Sequence, residues 1–393
     1  MKTVAIVSEF DPFHNGHRAL LEAVRRQFGE DTEIVALMSG NFTQRGTVAV
    51  ADKFTRAAMA VEGGVNLVLE IPFPYSLSSA EYFARAGVRM ASALSVVDTL
   101  AFGSECGDIG ALTVVAKRLS SPEFEAALQE AIRTEAACGY AALHEQVYRR
   151  LYDDAGGDLL KDPNNILAIS YLREILARPS PLTPFTVKRR GAYHEKDLSE
   201  GVSATAVRAA LYRDDPTAYE AMPPSSAPLL RDAMAKGMAP TDFSRLENVL
   251  LAHFRTRDPQ PGDALGHRIY SAAIRAHTFQ EFTAMIATKR YTHAYIRRTL
   301  WHRFFGITSA DCQKPPLYTQ ILGMDARGRA ILRRAAKSTT LLLLTKPADG
   351  NGRDGELGRQ IALAQKADSL YPLTMPVPGA GNAAILAAPY RKD

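Results

Sequence analysis

Cysteine is scarce in this chain. Three residues in 393, Cys106, Cys138 and Cys312, lie far apart and never form a CxxC pair. That excludes a disulfide framework and a cysteine zinc site, and it suits a reducing compartment. Long apolar runs are missing too: the longest, such as Leu341–Leu344, are far too short to cross a bilayer, so no membrane partner is expected. The first residues enter a strand-like run at once and lack a signal-peptide layout, so a cytoplasmic location is expected. Repeats and low-complexity tracts are absent. Acidic residues thin out in one place. From Glu281 to Arg334 there are three Asp/Glu against ten Lys/Arg, a local charge of +7 in a chain of +5 overall. A basic block on a near-neutral body points to a polyanion-binding face.

What is present is a globular composition, 46% hydrophobic and 23% charged, in a chain long enough for two domains. It is organised around Val4–Ala19, VAIVSEFDPFHNGHRA. Val4–Val7 has buried-strand character, Asp11-Pro12 breaks it, and a helical pattern resumes near Gly16 with Leu20, Leu21 and Val24 on one face. A strand, a tight loop and a helix start make an anion site, because free N–H groups and the helix dipole face the ligand. His14 and His17 stand three residues apart in that loop, where their imidazoles can face one phosphate. Gly16 between them removes a Cβ that would block close approach.

Further on, strands are predicted at Glu33–Met38, Asn66–Ile71 and Asp98–Phe102, with helices at Asp52–Glu62 and Ser79–Ala93 between them. The alternation predicts an α/β fold with a doubly wound parallel sheet, which binds ligands at the carboxyl ends of its strands. Loops expected there include Ser8–His14, a loop carrying Gln44, Arg45 and Gly46, and Gly103–Asp108. Arg45 can meet a carboxylate or phosphate through its planar fork. Lys53 and Arg56 read equally well as ordinary surface cations, and Glu105 equally well as a cap for the next helix. Asp108–Arg178 is helical in pattern, an insertion packed on the sheet, with a new helix starting at Pro163-Asn164-Asn165. One Asn there suffices as a cap; the second is available to a ligand. A Pro-rich connection, Pro179–Tyr193, leads through Lys188, Arg189 and Arg190 to Ser203-Ala204-Thr205 and Arg208. Hydroxyls at a helix start with Arg one turn on make a second phosphate-binding turn. A Pro/Ser-rich stretch within Pro216–Pro228 marks the expected domain boundary, followed by mostly helical sequence. In the basic block, Arg290, Arg297 and Arg298 recur at helical spacing with Tyr291, Tyr295 and Trp301 interleaved. Cations with aromatics suit phosphate contact and base stacking, although the aromatics of a surface helix can equally be core.

These segments together resemble the bacterial tRNA(Met) cytidine acetate ligases of the HxGH nucleotidylyltransferase superfamily. The residues that carry the resemblance are Glu9–His17, Met38–Phe42, Gln44-Arg45-Gly46, Glu70-Ile71-Pro72, Phe102–Glu105, Pro163–Leu167, Tyr193-His194, Ser203–Thr205 with Arg208, and Lys289-Arg290-Tyr291. The resemblance implies a Rossmann-like nucleotidylyltransferase domain (1–215) with a helical insertion, and a mainly helical, tRNA-binding domain (216–393). It implies an enzyme that makes acetyl-adenylate from acetate and ATP, with Mg²⁺, and passes the acetyl group to the exocyclic amine of the wobble cytidine of elongator tRNA(Met). His14, His17, Thr205 and Arg208 are the expected catalytic residues. ATP is expected at Val7, Ser8, Glu9, Phe10, Asp11, Pro12, Phe13, Asn15, Gly16 and Arg18 of the same loop, with Gly103, Asn164, Arg189, Arg190 and Ser203. Gln44 and Arg45 form the expected acetate loop, and Lys289, Arg290, Arg297, Arg298 and Arg303 the expected tRNA contacts. No protein metal-ligand cluster stands out. ATP chemistry and tRNA binding are expected to be separable by mutation. A small-molecule nucleotidylyltransferase shares the HNGH chemistry but leaves the +7 segment unexplained; a non-enzymatic RNA-binding protein leaves both phosphate turns unexplained.

Overall fold

The apolar runs pair side by side. β1 (Thr3–Ser8), β2 (Glu33–Ser39), β3 (Leu67–Ile71), β4 (Thr99–Ser104) and β5 (Thr183–Lys188) form a parallel sheet in the order β5-β4-β1-β2-β3. The computed structural model describes residues 2–134, 139–189, 203–288 and 291–392. Along β1, Ala5 and Val7 enter one apolar core and Val4 and Ile6 another. Both faces are covered, which is why the run is apolar throughout rather than alternating. Among the described residues up to 211 the α-helices are α1 (Asn15–Phe28), α2 (Lys53–Glu62), α3 (Ala80–Ala93), α4 (Ile109–Leu119), α5 (Pro122–Thr134), α6 (Tyr140–Tyr152), α7 (Pro163–Leu176) and α8 (Ala204–Leu211). The first core is filled from α3 through α7, so the helical insertion packs on the sheet as expected. The second takes α1, α2, α8 and residues 218–239.

Sequence reasoning missed β5, reading it as a Pro-rich connection. Pro184 pairs in register with Leu100. A proline has no N–H to give a ladder and is confined to sheet edges, and β5 is the edge strand. β4 also runs further than expected, so Gly103 lies inside the strand rather than beyond it.

The division expected at residue 216 is not a break in the sheet. β6 (Tyr318–Met324) pairs antiparallel with β3, and β7 (Leu342–Leu344) and β8 (Tyr390–Arg391) pair parallel with β6. The outer edge of β3 would otherwise leave a row of backbone groups unpaired. The helices beyond residue 240 build a third core around Leu250, Phe282, Ile296, Leu300 and Trp301. That core also takes Phe42 and Val48 from the loop after β2, and Phe73 and Leu77 from the loop after β3. The C-terminal helices therefore sit directly on the carboxyl-end loops of the sheet.

Candidate active site

The chain reverses direction between β1 and α1 through the two histidines. His14 caps α1: its Nδ1 accepts from the Gly16 N–H at 3.0 Å, while His17 Nδ1 accepts from the His14 N–H at 3.2 Å. The two rings lie 3.9 Å apart between centroids. A backbone N–H can only donate, so each Nδ1 is an acceptor and each neutral ring keeps its proton on Nε2. Burial, with Arg189 and Arg208 nearby, holds His14 down to about pKa 3. Burial and His14 push His17 well below its ordinary value. Both rings are thus uncharged at neutral pH, and each offers Nε2–H to a ligand. Phe10 and Phe13 are fully buried and meet each other edge-on at 5.0 Å, and the His17 ring stands 4.9 Å from Phe10. Their task is to seat the histidines. Asn15 binds the Glu220 and Ala221 carbonyls, Ser8 Oγ accepts from the Phe10 N–H, and Val7 is core. Arg18 points outward to Glu22 on α1. Each of these last four residues, expected at ATP, makes a contact within the fold itself.

One carboxylate, Asp11, and two arginines, Arg208 and Arg56, organise the loop. Asp11 Oδ1 accepts from the Val50 N–H at 2.7 Å, and Asp11 Oδ2 lies 3.2 Å from Arg208 Nη1. Arg208 also donates to the Asp11 carbonyl at 2.6 Å and to Thr205 Oγ1 at 3.3 Å. Ser203 caps α8 by accepting from the Ala206 N–H, and through Arg208 the α8 turn reaches the β1–α1 loop. Arg56, for which the sequence leaves a surface role open, is fully buried. It donates to the carbonyls of Glu9, Ser39, Gly40 and Ala51, fastening the ends of β1 and β2 together. Lys53 is buried as well, between Glu70 at 2.7 Å and Asp368 at 2.6 Å. Asp368 lies on the C-terminal helix Gly355–Leu370. Its distance along the chain hid that pairing from sequence reading. Gly40 is required beside it, because a Cβ would stand 2.2 Å from Glu70 Oε1.

On the β4 side, Gly103 faces Arg189, whose Cγ would be 3.1 Å from an added Cβ. Glu105 does act as a cap, but for α7 rather than for the next helix. Its oxygens accept from the Asn164 N–H at 3.2 Å, the Asn164 side chain at 2.6 Å and the Asn165 N–H at 2.7 Å. Asn165 is buried and returns the favour by accepting from the Glu105 and Cys106 N–H groups. The structural Asn is therefore Asn165, and Asn164 is the one nearer solvent. Arg190 and Tyr193-His194 lie outside the described residues.

The loop carrying Gln44 and Arg45 meets the basic block. Glu9 Oε1 accepts from the Gln44 N–H at 2.7 Å, and burial and Asp11 raise the Glu9 pKa. Arg298 donates to the Gln44 carbonyl at 3.0 Å and Arg297 to the Arg45 carbonyl at 3.1 Å. Gly46, at φ +77, lets the Arg297–Arg298 backbone approach: a Cβ there would lie 2.7 Å from Arg297 Cβ. Arg303 forms an ion pair with Asp263. The basic block also sends Lys314 to Glu356, Arg327 to Asp31 and Arg334 to Glu33. Much of its excess charge is met by carboxylates from elsewhere in the fold, which the local count could not show. Trp301 is core, 1% exposed. Lys289 and Arg290 lie outside the described residues. Among the described residues no three His, Cys, Asp or Glu side chains converge to hold a metal ion, and the Asp11 oxygens are already engaged. Among the described residues no helix is long and apolar enough to cross a membrane.

Two imidazole donors at a helix start, beside the β1/β4 point where strand order reverses, with arginine reaching in from a second turn, define a nucleotidyltransferase of the HIGH type. A sequence model of the family described as HIGH Nucleotidyl Transferase matches residues 1–382. The tRNA(Met) cytidine acetate ligase of Syntrophomonas wolfei is 34% identical, across 98% of this chain and 97% of its own length. That of Syntrophotalea carbinolica is 37% identical across 88% and 85%. The crystal structure of Thermotoga maritima TmcAL bound with alpha-thio ATP matches at TM-score 0.88 and 27% identity, covering 100% of both chains. Its apo form matches at TM-score 0.90 and 29% identity, again over 100% of both. The chain belongs to the HIGH nucleotidyl transferase family and, within it, to the tRNA(Met) cytidine acetate ligases.

Proposed function

We propose that this protein activates acetate with ATP and transfers the acetyl group to N4 of the wobble cytidine of elongator tRNA(Met), forming N4-acetylcytidine. The observation that carries the reading is the paired capping of His14 and His17, which fixes two Nε2–H donors where a phosphate can meet them. Membership of a family whose relatives bear that enzyme name supports the substrates.

Acetate is a poor electrophile until one of its oxygens becomes part of an AMP leaving group. In the first step that oxygen bonds to the α-phosphorus and the bond to the departing pyrophosphate breaks. Negative charge builds on the phosphoryl oxygens, where His14, His17 and the α1 N-terminus donate. A bound anion favours the protonated imidazole, so phosphate opposes the depression of both histidine pKa values. In this reading Thr205, Arg208 and the Ser203 turn hold the outer phosphates. Gly103, Asn164, Arg189 and Arg190 lie along the adenosine, and Gln44 and Arg45 receive acetate. Mg²⁺, when bound with ATP, would supply charge neutralisation to the phosphates that Thr205, Arg208 and the Ser203 turn hold. In the second step N4 bonds to the acetyl carbon, AMP leaves with the C–O electron pair, and the amine loses a proton. Lys289, Arg290, Arg297, Arg298 and Arg303 remain the RNA-side cations of the reading, in a protein acting in the cytoplasm.

The test is mass spectrometry of nucleosides from tRNA incubated with protein, ATP and isotopically labelled acetate. Labelled N4-acetylcytidine that requires both ATP and acetate is the expected product. Adenylation of a small molecule, with cytidine left unmodified, would contradict the proposal.

A further inference from the structure

A cavity of about 540 Å³ opens between the helical insertion and the Tyr291–Arg298 segment. It is walled by apolar side chains such as Leu119, Leu143, Leu160, Ile166 and Ile169, and its size is typical of a small-ligand site. Three features make it more than a packing gap. Tyr291 and Tyr295 stand stacked in its wall, centroids 5.4 Å apart and planes 12° apart, with Tyr295 42% exposed. His144 also lines it, and its Nε2 is buried without a hydrogen-bond partner. Burial, with Arg173 beside it, lowers the His144 pKa to about 4, so the ring is neutral and can meet the polar edge of an uncharged heterocycle. Finally, the cavity abuts the reaction site. Gln44 and Arg298 line it, and Gln44 is the residue held by Glu9 on one side and Arg298 on the other.

The ligand that fits is flat, apolar on its faces and polar at its rim. A nucleobase has that character, and the arginines Arg173 and Arg298 in the same wall suit its phosphodiester strand. The chemistry asks for one there as well: an attacking amine must come within about 3–3.5 Å of the acetyl carbon, which a base stacked in its own strand cannot do. We propose that this cavity receives the target cytosine, turned out of the RNA strand, with its ring on the Tyr291–Tyr295 stack and its polar edge toward His144. This rests on the functional reading above and adds where the acceptor base sits.

The test uses the full-length protein, Tyr295→Ala and His144→Leu as variants, and an anticodon stem–loop RNA as acceptor. ATP–pyrophosphate exchange with acetate should be unchanged in both, which also reports that they fold. Acetyl transfer to the RNA should fall about tenfold or more in Tyr295→Ala and be rescued in Tyr295→Phe, which keeps the ring. On the same RNA with an abasic nucleotide at the target position, Tyr295→Ala and wild type should bind equally. Unchanged transfer by both variants, or an equal loss of binding on the abasic RNA, would overturn the pocket. A wild-type protein that makes acetyl-adenylate but never acetylates the RNA would overturn the functional reading itself.

Discussion

The β1–α1 loop and the 281–334 segment both stand out in the sequence, one by its histidines and one by its charge, but they fold by different rules. In the loop, the deciding bonds are local: His14 to Gly16 and His17 to His14. In the basic segment, they are distant: Arg297 to Arg45, Arg298 to Gln44, Arg303 to Asp263, Arg334 to Glu33. Capping chemistry is written in spacing, so it can be read directly. A run of charge carries no record of its partners. Here two of its arginines clamp the Gln44–Arg45 loop, and several other cations neutralise carboxylates across the fold.

The sharpest way to break this contrast is His17→Ala. Acetyl-adenylate formation, measured by acetate-dependent ATP–pyrophosphate exchange, should drop by about two to three orders of magnitude, with the fold intact because the ring is only half-buried and Phe10 and Phe13 still pack on each other without it. A folded variant with near-normal exchange would remove the histidine from the chemistry. Next in size is Arg208→Ala, which should weaken ATP binding by about 1.5–3 kcal/mol, the worth of a charge-assisted contact. AMP should lose less, and an equal calorimetric loss for AMP would place Arg208 away from the outer phosphates.

Acidification is the third lever. His14 is held at about pKa 3 in the fold and titrates near 6.5 when unfolded. The unfolded chain therefore takes up more protons between those values, and stability falls as pH drops through that window, by up to about 1.4 kcal/mol per pH unit. His14→Asn keeps a capping acceptor without titrating and should flatten the fall of Tm between pH 6 and 4; an unchanged slope would exclude His14 as its source. The smallest effect belongs to Arg303→Ala. Its pair with Asp263 is partly exposed, 35% and 27%, and should be worth no more than about 1 kcal/mol in thermal unfolding. A reduced salt slope of RNA binding in that variant would show the pair opening onto RNA and would narrow the contrast.

The same division explains what sequence could and could not show. The parallel sheet, the HNGH turn and the Ser203–Arg208 turn were legible because strand runs, caps and helix starts are short-range signals. β5 was hidden by Pro184, a residue that argues against a strand until the strand is known to be an edge. Lys53 and Arg56 could not be told from surface cations in the sequence because their partners, Asp368, Glu70 and four backbone carbonyls, are assembled only by the fold. The extension of the sheet by β6 and the neutralised basic block were out of reach for the same reason.

The central claim is that the basic segment is tied through Arg297 and Arg298 to the loop beside Glu9, so that under the proposed function ATP chemistry and RNA binding should not separate cleanly there. The measurement that tests it most directly is acetate-dependent ATP–pyrophosphate exchange, without RNA, in the Arg297→Ala/Arg298→Ala double variant. Removing both arginines frees the Gln44 and Arg45 carbonyls and loosens the loop beside Glu9. The account predicts exchange reduced by about tenfold or more, the worth of one charge-assisted hydrogen bond. Exchange at the wild-type rate, with only tRNA binding weakened, would contradict it.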